Sequence, residues 1–566
     1  MPSDTPRTLA IGLGQISPLP DLAGNRDKIA RFIRRAAGRG CRVVAFPEGA
    51  LHAPEGTPRE EIDAAIGVLR REAAAAGIYA LIGLLYPHEG AQRLANALLV
   101  IDPQGEVLQT YHKLYDVGPN RVPGLFAIDG IPCSAIICAD RWIRGVEDLP
   151  AVAGARILFE CSNNYPAEWI PEQGWYWYVP RALRNGAYVA FVNTSSHVQA
   201  NGAVHGHGHS ALFRPDGSPV VAGDDACDVL LVGEVDVAAA TLAEARRRRE
   251  HPIARAWWDV GLRILAGETV DVPPHPQYRS EEREVSVAVA QIEGGEGTEA
   301  RVDEMVGRIR EAGARGADVV LFPELAVTGA SQGAVEAADE RVLARALGRL
   351  RAAAAEARLY AVWGMPALVG GERRNAAYAV GPGGDVLTRY DQLVVDRPEL
   401  FRPGESPRCM WFQMRGVPTA VTIGWREALW SEISELAAVK GAQLRLHLAH
   451  AVGGGAEEAL RRWQVWVNMA SYRTLTAVAN AAGAGGGGSA ILEDHRRRRG
   501  PDYAPHCAVA LARAGEDPVL LYARHRVDAV NPHYDRLTRR FNAQMADWYE
   551  AGGHAIHAAA PHGSFV

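Results

Sequence analysis

The sequence predicts an α/β protein in which helices cover β-sheets, built twice along one chain. Apolar runs alternate with segments of helical period from Thr8 to Leu114, and a similar pattern begins again near residue 283. With 566 residues the chain is too long for a single hydrophobic core. Two domains are therefore expected.

The elements of the first half follow from local patterning. Short apolar runs bounded by turn residues predict strands, and apolar residues at helical spacing predict helices. The predicted order is strand Thr8–Gln15, helix Asn25–Gly38, strand Cys41–Phe46, helix Glu60–Ala76, and strands Tyr79–Leu85, Asn96–Ile101, Glu106–Leu114 and Ala135–Ile137.

The second half repeats the first. Gly313–Leu325 (GARGADVVLFPEL) is similar to Gly38–Gly49 (GRGCRVVAFPEG), and Glu324 follows Glu48 by 276 residues. A nearly constant, domain-sized offset through several segments indicates a tandem duplication. The expected divisions are a first domain at 1–250, a linker at 251–282, a second domain at 283–530 and a C-terminal tail at 531–566.

Composition narrows the class of protein. Hydrophobic residues make up 48% and charged residues 22%, and the net charge of -6 argues against a nucleic-acid or anionic-membrane partner. The seven cysteines include no CxxC pair, which argues against a disulfide framework or a zinc site. No apolar window is long enough for a membrane span. A reducing, cytoplasmic setting is expected.

Three short motifs hold candidate reactive residues. Glu48 ends Phe-Pro-Glu, Lys113 lies in Tyr-His-Lys-Leu, and Cys138 follows a buried apolar run. Each residue alone has a plainer explanation. A lone cysteine usually packs in the core, and a lysine beside tyrosines usually covers them at the surface.

The order F-P-E, Y-x-K-L and I-C-x-D-x-W resembles the carbon–nitrogen hydrolase (nitrilase) superfamily. The resemblance covers the first half and, more weakly, the second half. It implies a four-layer α-β-β-α sandwich, no metal or other cofactor, and an active site formed by Cys138, Glu48 and Lys113.

This resemblance implies thioester chemistry. Glu48 would accept the proton of the Cys138 thiol, with a pKa raised by an apolar setting. Lys113 and the backbone N–H of Ala139 would stabilise the oxyanion. The residues after the cysteine favour amide or ureide substrates over nitriles.

Several further residues are candidates for substrate binding. Asn120 stands where many members of the family have a second glutamate, and its amide cannot accept a proton. This replacement leaves open an acyltransferase that passes the acyl group to an amine. A second departure is Arg184, at a position where the family often has an acid. The remaining candidates are Ala139, Asp140, Trp142, Trp175 and His209, although Trp175 could equally pack in the core.

The stretch His205-Gly206-His207-Gly208-His209 would place three imidazoles on one face of a strand. That spacing suggests a metal site. Because the resemblance implies no metal, we favour a pocket-lining role or an ordinary loop.

The second half keeps Glu324 but has Gln392 and Gly424 at the lysine and cysteine positions. We therefore expect a non-catalytic second copy that pairs with the first as an internal pseudo-dimer, with further homo-oligomerisation open. The expected activity is thiol-dependent hydrolysis of a small amide or N-carbamoyl compound. The alternatives are an amide-forming acyltransferase, a nitrilase, and a catalytically decayed binding or scaffold protein.

Overall fold

The computed structural model describes residues 8–87, 94–114, 124–142, 144–171, 174–175, 178–199, 202–271, 282–450, 453–470, 474–493, 509–527, 551–552 and 555. The predicted tail and the helix expected within it lie almost wholly outside these residues. Contacts divide the chain into two compact units, with the first boundary at Asp271.

The first unit extends beyond the boundary expected at residue 250. A helix at Ala254–Leu265 follows that point, and its Trp257 and Trp258 are fully buried. Burying two indoles makes this segment part of the unit's core, so residues 251–271 are not a free linker.

Among the described residues, the first unit contains strands of two to nine residues and six α-helices. In chain order they are β1 (Thr8–Gln15), α1 (Leu22–Gly38), β2 (Val43–Ala45), β3 (Leu51–His52), α2 (Arg59–Ala76), β4 (Tyr79–Pro87), β5 (Leu94–Ile101), β6 (Val107–His112), β7 (Phe126–Ile128), β8 (Ile131–Ile137), α3 (Arg144–Val152), β9 (Ile157–Ser162), α4 (Val179–Asn185), β10 (Tyr188–Asn193), β11 (His197–Val198), β12 (Val204–His205), β13 (Ala211–Phe213), β14 (Pro219–Ala222), β15 (Val229–Asp236), α5 (Ala243–Glu250) and α6 (Ala254–Leu265).

These strands form two main sheets. One has the order β15-β1-β2-β4-β5-β6, with β3 beside β4, and the other has the order β14-β13-β10-β9-β8-β7. Helices α1 and α2 pack on the first sheet, the two sheets face each other through β1 and β10, and α3 and α4 pack on the second sheet. The four-layer α-β-β-α arrangement is confirmed.

The second unit repeats this plan. Its described elements are β16 (Arg283–Gln291), α7 (Thr298–Ala314), β17 (Val319–Leu321), α8 (Gln332–Ala337), α9 (Glu340–Ala357), β18 (Tyr360–Val369), β19 (Glu372–Val380), β20 (Val386–Asp391), β21 (Trp411–Met414), β22 (Val417–Ile423), α10 (Gly424–Leu429), α11 (Ser431–Val439), β23 (Leu444–Leu448), α12 (Gly455–Ala470), β24 (Leu475–Ala479), β25 (Ala490–Glu493), β26 (Val509–Arg513) and β27 (Val519–Val527).

The sheet order is the clearest sign of the duplication. The second unit has sheets of order β20-β19-β18-β17-β16-β27 and β21-β22-β23-β24-β25-β26, which match the two sheets of the first unit strand for strand apart from the short β3. The two tandem α/β copies predicted from the sequence offset are therefore confirmed.

Local sequence explains where the elements begin and end. The Asp21 side chain accepts a hydrogen bond from the N–H of Gly24 at 2.7 Å, so α1 begins a few residues before the predicted start. Gly77 ends α2 in the left-handed conformation, with φ of 66°. No helix in the described part of the chain is long and apolar enough to cross a membrane.

A network of buried charges joins α3, α4 and α5. Asp148 on α3 accepts hydrogen bonds from Arg184 and Arg248, each at 2.8 Å, and Glu147 accepts one from Arg181 at 2.7 Å. Burial disfavours the charged form of Asp148, but the two guanidinium groups outweigh it and hold its pKa well below the ordinary range. Arg184 departs from the family pattern, but its charge is balanced by Glu147 and Asp148 within the helix layer formed by α3, α4 and α5.

Removing the charge at the centre of this network should destabilise the protein. We expect Asp148→Asn to lower the free energy of unfolding by about 3–5 kcal/mol, because it leaves buried guanidinium groups poorly compensated. The matched control is Asp63→Asn in the exposed Arg59–Asp63 pair, where a loss under about 0.5 kcal/mol is expected.

The Asp148 effect should depend on pH. Because its pKa is lowered on folding, its contribution is complete above the ordinary aspartate pKa and is lost as pH falls toward the lower folded-state value. Urea unfolding at neutral and acidic pH measures this, and the gap between wild type and variant should narrow in acid. A gap that stays constant would contradict the assignment.

Candidate active site

Glu48 is positioned by the bend that follows β2. The bend lies against β4 at Gly83, where a Cβ atom would be 2.1 Å from the Pro47 carbonyl oxygen. Only glycine allows this close approach, because any side chain would push the bend away. The second copy has the same arrangement at Gly364, where a Cβ atom would be 2.7 Å from Cα of Glu324.

The Glu48 carboxylate is buried and fully engaged. Its Oε1 accepts hydrogen bonds from Nζ of Lys113 at 2.5 Å and from Nδ2 of Asn96 at 2.6 Å. Its Oε2 accepts one from the backbone N–H of Asn163 at 3.1 Å. The carboxylate is therefore fixed from three directions, by residues at the ends of β6 and β9 and within β5.

The pKa expected for Glu48 from sequence was wrong in direction. Burial disfavours the carboxylate, but the Lys113 charge and the hydrogen bonds from Lys113, Asn96 and Cys138 outweigh it, so the pKa lies below its ordinary value. The pKa of Lys113 is raised, because attraction to Glu48 exceeds the cost of its burial. At neutral pH the pair is charged.

Cys138 begins a 3-10 helix at Cys138–Trp142 directly after β8 and has φ of 44°. A non-glycine residue in this region is uncommon and often occurs at functional sites. Its Sγ lies 3.5 Å from Oδ1 of Asn164, and the thiol interacts electrostatically with the Glu48 carboxylate. The structure thus brings Cys138, Glu48 and Lys113 together.

The Cys138 thiol is neutral at rest. Burial and the Glu48 charge together raise its pKa to about 12, and Arg141 and Lys113 oppose the increase. A thiolate would therefore form most easily when its proton passes to Glu48, because that transfer also removes the repelling negative charge.

Arg141 is a site residue that the sequence analysis did not identify. It is 1% exposed, and its Nη2 lies 4.0 Å from Sγ of Cys138. The same nitrogen donates to Oδ1 of Asn164 at 2.8 Å and to Oε2 of Glu168 at 2.7 Å. A 3-10 helix has three residues per turn, so Arg141 returns to the side of Cys138. The three-residue spacing from Cys138 to Arg141 is the feature of the sequence that could have indicated this contact.

Asp140 requires a correction. It was a candidate for substrate binding, yet its side chain is fully buried and accepts hydrogen bonds from Tyr111 Oη at 2.8 Å, Leu114 N at 3.1 Å and Ile137 N at 3.2 Å. Burial raises its pKa to about 7. Asp140 therefore braces the turn that carries Cys138.

Three other candidates were Ala139, Trp142 and Asn120. The first two lie in the 3-10 helix that begins at Cys138. Ala139 is half-buried in the 3-10 helix next to Cys138, and its oxyanion role stays a prediction. The Trp142 backbone lies in the same helix, but its side chain is outside the described residues, as is all of Asn120.

Trp175 and His209 belong to an aromatic cluster around Trp169. The indole N–H of Trp175 donates to the carbonyl oxygen of His209 at 2.7 Å, and the His209 ring stacks on Trp169 with centroids 3.7 Å apart. Their substrate contact stays a prediction.

The imidazoles of the His205 to His209 stretch divide between two places, because His207 and His209 both stack on Trp169 and His205 does not. His205 packs on Tyr165 with centroids 4.3 Å apart, whereas Nε2 of His207 lies 3.5 Å from Nδ2 of Asn164. Only His205 belongs to a strand, so the expected shared face does not form. Within the described ranges, no three His, Cys, Asp or Glu side chains are grouped to hold a metal ion.

At the position equivalent to the Glu48, Lys113 and Cys138 site, the second copy has a different set of side chains. Nδ2 of Asn375 donates to Glu324 at 2.6 Å and to Oε1 of Gln392 at 2.9 Å, while Nε2 of Gln392 donates to Asp396 at 3.1 Å. Burial, with the neighbouring Asp396, raises the pKa of Glu324 to about 8. At Gly424 a Cβ atom would be 2.2 Å from Oδ2 of Asp396, so this carboxylate fills the space of a nucleophile side chain.

The two charged neighbours of the Cys138 thiol, Arg141 and Glu168, should change its reactivity in opposite directions. The Arg141 charge lowers the pKa of Cys138 and the Glu168 charge raises it. We expect Arg141→Met to slow iodoacetamide alkylation of Cys138 severalfold at a fixed pH, and Glu168→Gln to accelerate it, because the thiolate is the reactive form. Peptide mass mapping reports Cys138 separately from the exposed Cys227.

The charge-preserving variant Arg141→Lys is the control for this pair and should keep most of the alkylation rate. A purely structural role for both residues predicts rate changes of the same sign in Arg141→Met and Glu168→Gln. That result would contradict the electrostatic assignment.

Substitution of Gly424 tests whether Asp396 and Gln392 occupy the space of a nucleophile side chain in the second copy. An alanine there must displace the Gln392–Asp396 hydrogen-bonded pair, in addition to adopting a φ of 77°. Gly416 has a similar φ of 82° but open space around its Cβ position. We expect Gly424→Ala to lower the free energy of unfolding by about 1 kcal/mol more than Gly416→Ala. Adding Asp396→Ala should recover part of that difference, and equal losses at the two glycines would contradict it.

Comparison with known proteins agrees with the duplicated fold. A sequence model of the family described as carbon-nitrogen hydrolase matches residues 10–245 and again residues 286–496. A hydrolase of Mycobacterium tuberculosis is 29% identical over 254 residues, covering 40% of this chain and 90% of that protein. The omega-amidase NIT2-A of Xenopus laevis is 28% identical over 269 residues, covering 42% of this chain and 91% of that protein.

Among solved structures, an amidase from Nesterenkonia sp. is 23% identical with a TM-score of 0.37, covering 44% of this chain and 96% of that chain. The family model matches more than half of the sequence, in two consecutive copies. On this match, the chain belongs to the carbon-nitrogen hydrolase family.

Proposed function

We propose that the first copy hydrolyses a non-peptide C–N bond of an amide or N-carbamoyl compound through a thioester on Cys138. The observation that carries this proposal is that one buried carboxylate, Glu48, accepts a hydrogen bond from the Lys113 ammonium group and interacts electrostatically with the Cys138 thiol. Relatives that are named hydrolase and omega-amidase support a C–N hydrolase.

The first step is proton transfer and attack. Glu48 is ionised at neutral pH and interacts electrostatically with the thiol, so it takes the proton as Sγ attacks the carbonyl carbon. Arg141, 4.0 Å from Sγ, favours the sulfur when it becomes negative. The carbonyl π-electrons move to oxygen and form a tetrahedral intermediate.

The oxyanion requires a fixed positive charge. Lys113 remains protonated because its pKa is raised by Glu48, and its ammonium group lies 2.5 Å from the carboxylate that takes the proton. We assign oxyanion stabilisation to Lys113, with the backbone N–H of Ala139 as second donor.

The intermediate then collapses to the thioester. Glu48 returns its proton to the leaving nitrogen, the C–N bond breaks, and ammonia or an amine departs. Glu48 next takes a proton from water as the water oxygen attacks the thioester. The second tetrahedral intermediate collapses, the C–S bond breaks, and Glu48 returns the proton to Sγ as the acid product leaves. One carboxylate thus serves both half-reactions.

A second candidate function is amide formation, in which an amine replaces water at the thioester. It is favoured by Asn120, which stands where many family members have a second glutamate. The two reactions differ in product: added amine would shift the product from acid to amide only if transfer operates.

For the second copy we propose a non-catalytic role. Gln392 and Gly424 provide neither the cation nor the nucleophile. The Asp396 carboxylate, which occupies the space beside Gly424, supports this proposal.

Substitution of the three residues tests the mechanism in steady-state amide turnover. We expect Cys138→Ala to abolish turnover and Cys138→Ser to be nearly as inactive, since a hydroxyl loses its proton less readily than a thiol. Glu48→Gln should block both half-reactions. Lys113→Ala should cost about 10²–10³ in rate, the usual size for removing an oxyanion stabiliser.

The control is Cys133→Ala, which removes another buried cysteine on β8. Its turnover should stay near wild type while its stability falls. Full activity of Cys138→Ala would contradict the covalent mechanism. Circular dichroism must show that the inactive variants remain folded.

A further inference from the structure

A large cavity adjoins the candidate catalytic carboxylate. It has a volume of about 770 Å³, and its described lining includes Gly49, the residue after Glu48, and Asn163. The backbone N–H of Asn163 donates to Oε2 of Glu48. The cavity is therefore lined by two residues that neighbour or hold the Glu48 carboxylate.

The size of the cavity exceeds the needs of a small amide. Ligand pockets of about 300–1,000 Å³ accommodate drug-sized molecules, whereas a simple amide would leave most of this volume to water. Much of the lining is apolar, from four separate parts of the chain: Pro18, Leu19, Leu85, Leu94 and Val198. Such walls favour a substituent that can give up its contact with water.

The polar lining is mostly uncharged. Burial lowers the pKa of both His52 and His197, so both imidazoles are neutral at pH 7. Nδ1 of His197 lies 3.0 Å from the carbonyl oxygen of Ser195, so it carries the proton and leaves Nε2 as an acceptor. Among the described residues lining the cavity, Glu55 is the one charged side chain.

We propose that this cavity binds a largely apolar, uncharged substituent of the amide substrate. The enzyme then prefers amides that carry a ring-sized or chain-sized apolar group over small amides and over amides that end in a carboxylate. A carboxylate would be placed among apolar walls and near Glu55, where desolvation and repulsion both oppose binding. This inference rests on the proposed amide chemistry at Cys138 and names its substrate class.

The test compares kcat/KM for four amides with the full-length protein. They are butyramide, 4-phenylbutyramide, N-(3-phenylpropyl)acetamide and the carboxylate-ended glutaramate. We expect at least one phenyl-bearing amide to exceed butyramide by about tenfold or more, because a buried ring removes considerable apolar area from water. The two phenyl compounds show whether the cavity holds the acyl side or the nitrogen side. Glutaramate should be the poorest of the four.

Variants localise the preference to the cavity. Leu19→Trp and Leu94→Trp reduce its volume from two different segments and should lower the phenyl-to-butyramide ratio at least severalfold. The matched control is Leu108→Trp, which adds the same indole at an exposed position of β6 away from the cavity. Its ratio should equal that of wild type.

The outcomes separate this inference from the proposed function. Turnover of butyramide with no advantage for either phenyl compound, or a preference for glutaramate, would overturn the inference and leave the amidase proposal standing. An unchanged ratio in both cavity variants would also overturn it. If no amide is turned over and none acylates Cys138, the proposed function fails, and the inference fails with it.

Discussion

The buried ion pair between Glu48 and Lys113 is the interaction on which the candidate site depends. It keeps a carboxylate charged where burial alone would neutralise it, and it holds an ammonium group beside the same carboxylate. The second copy shows the consequence of losing the cation. With Gln392 in the lysine position, the pKa of Glu324 is raised to about 8, and an amide hydrogen-bond network replaces the ion pair.

The surrounding layers keep this pair and the nucleophile in place. Arg141, beside Cys138, forms an ion pair with Glu160 on β9, and Glu160 also pairs with Arg181 on α4. Asp140 fixes the same turn to Tyr111 at the end of β6. The turn that carries Cys138 is thus connected to both sheets and to the outer helices, which gives a reactive residue the rigid support that catalysis requires.

Sequence reasoning predicted the fold and the meeting of Glu48, Lys113 and Cys138 because those features depend on periodicity, repeat offset and ordered motifs. Sequence reasoning failed for properties that depend on residues brought together only by folding. The pKa direction of Glu48 depends on Lys113 and Asn96, which are distant in sequence. Asp140 looked like a pocket residue but points toward Tyr111, and Arg141 looked like a spacer although it lies against Sγ. The Asp140 orientation does not follow from the order of residues, and the spacing of Arg141 is informative only when a 3-10 helix is known to begin at Cys138.

The most direct measurement of the central claim is mass spectrometry of the protein quenched during turnover with a mixed panel of amides, ureides and nitriles. The account predicts one acyl group per chain, mapped to the peptide containing Cys138, with no adduct on any peptide of the second copy. Its mass would also identify the acyl group. Turnover accompanied by an acyl group on a different residue, or by none when deacylation is slowed, would contradict the account.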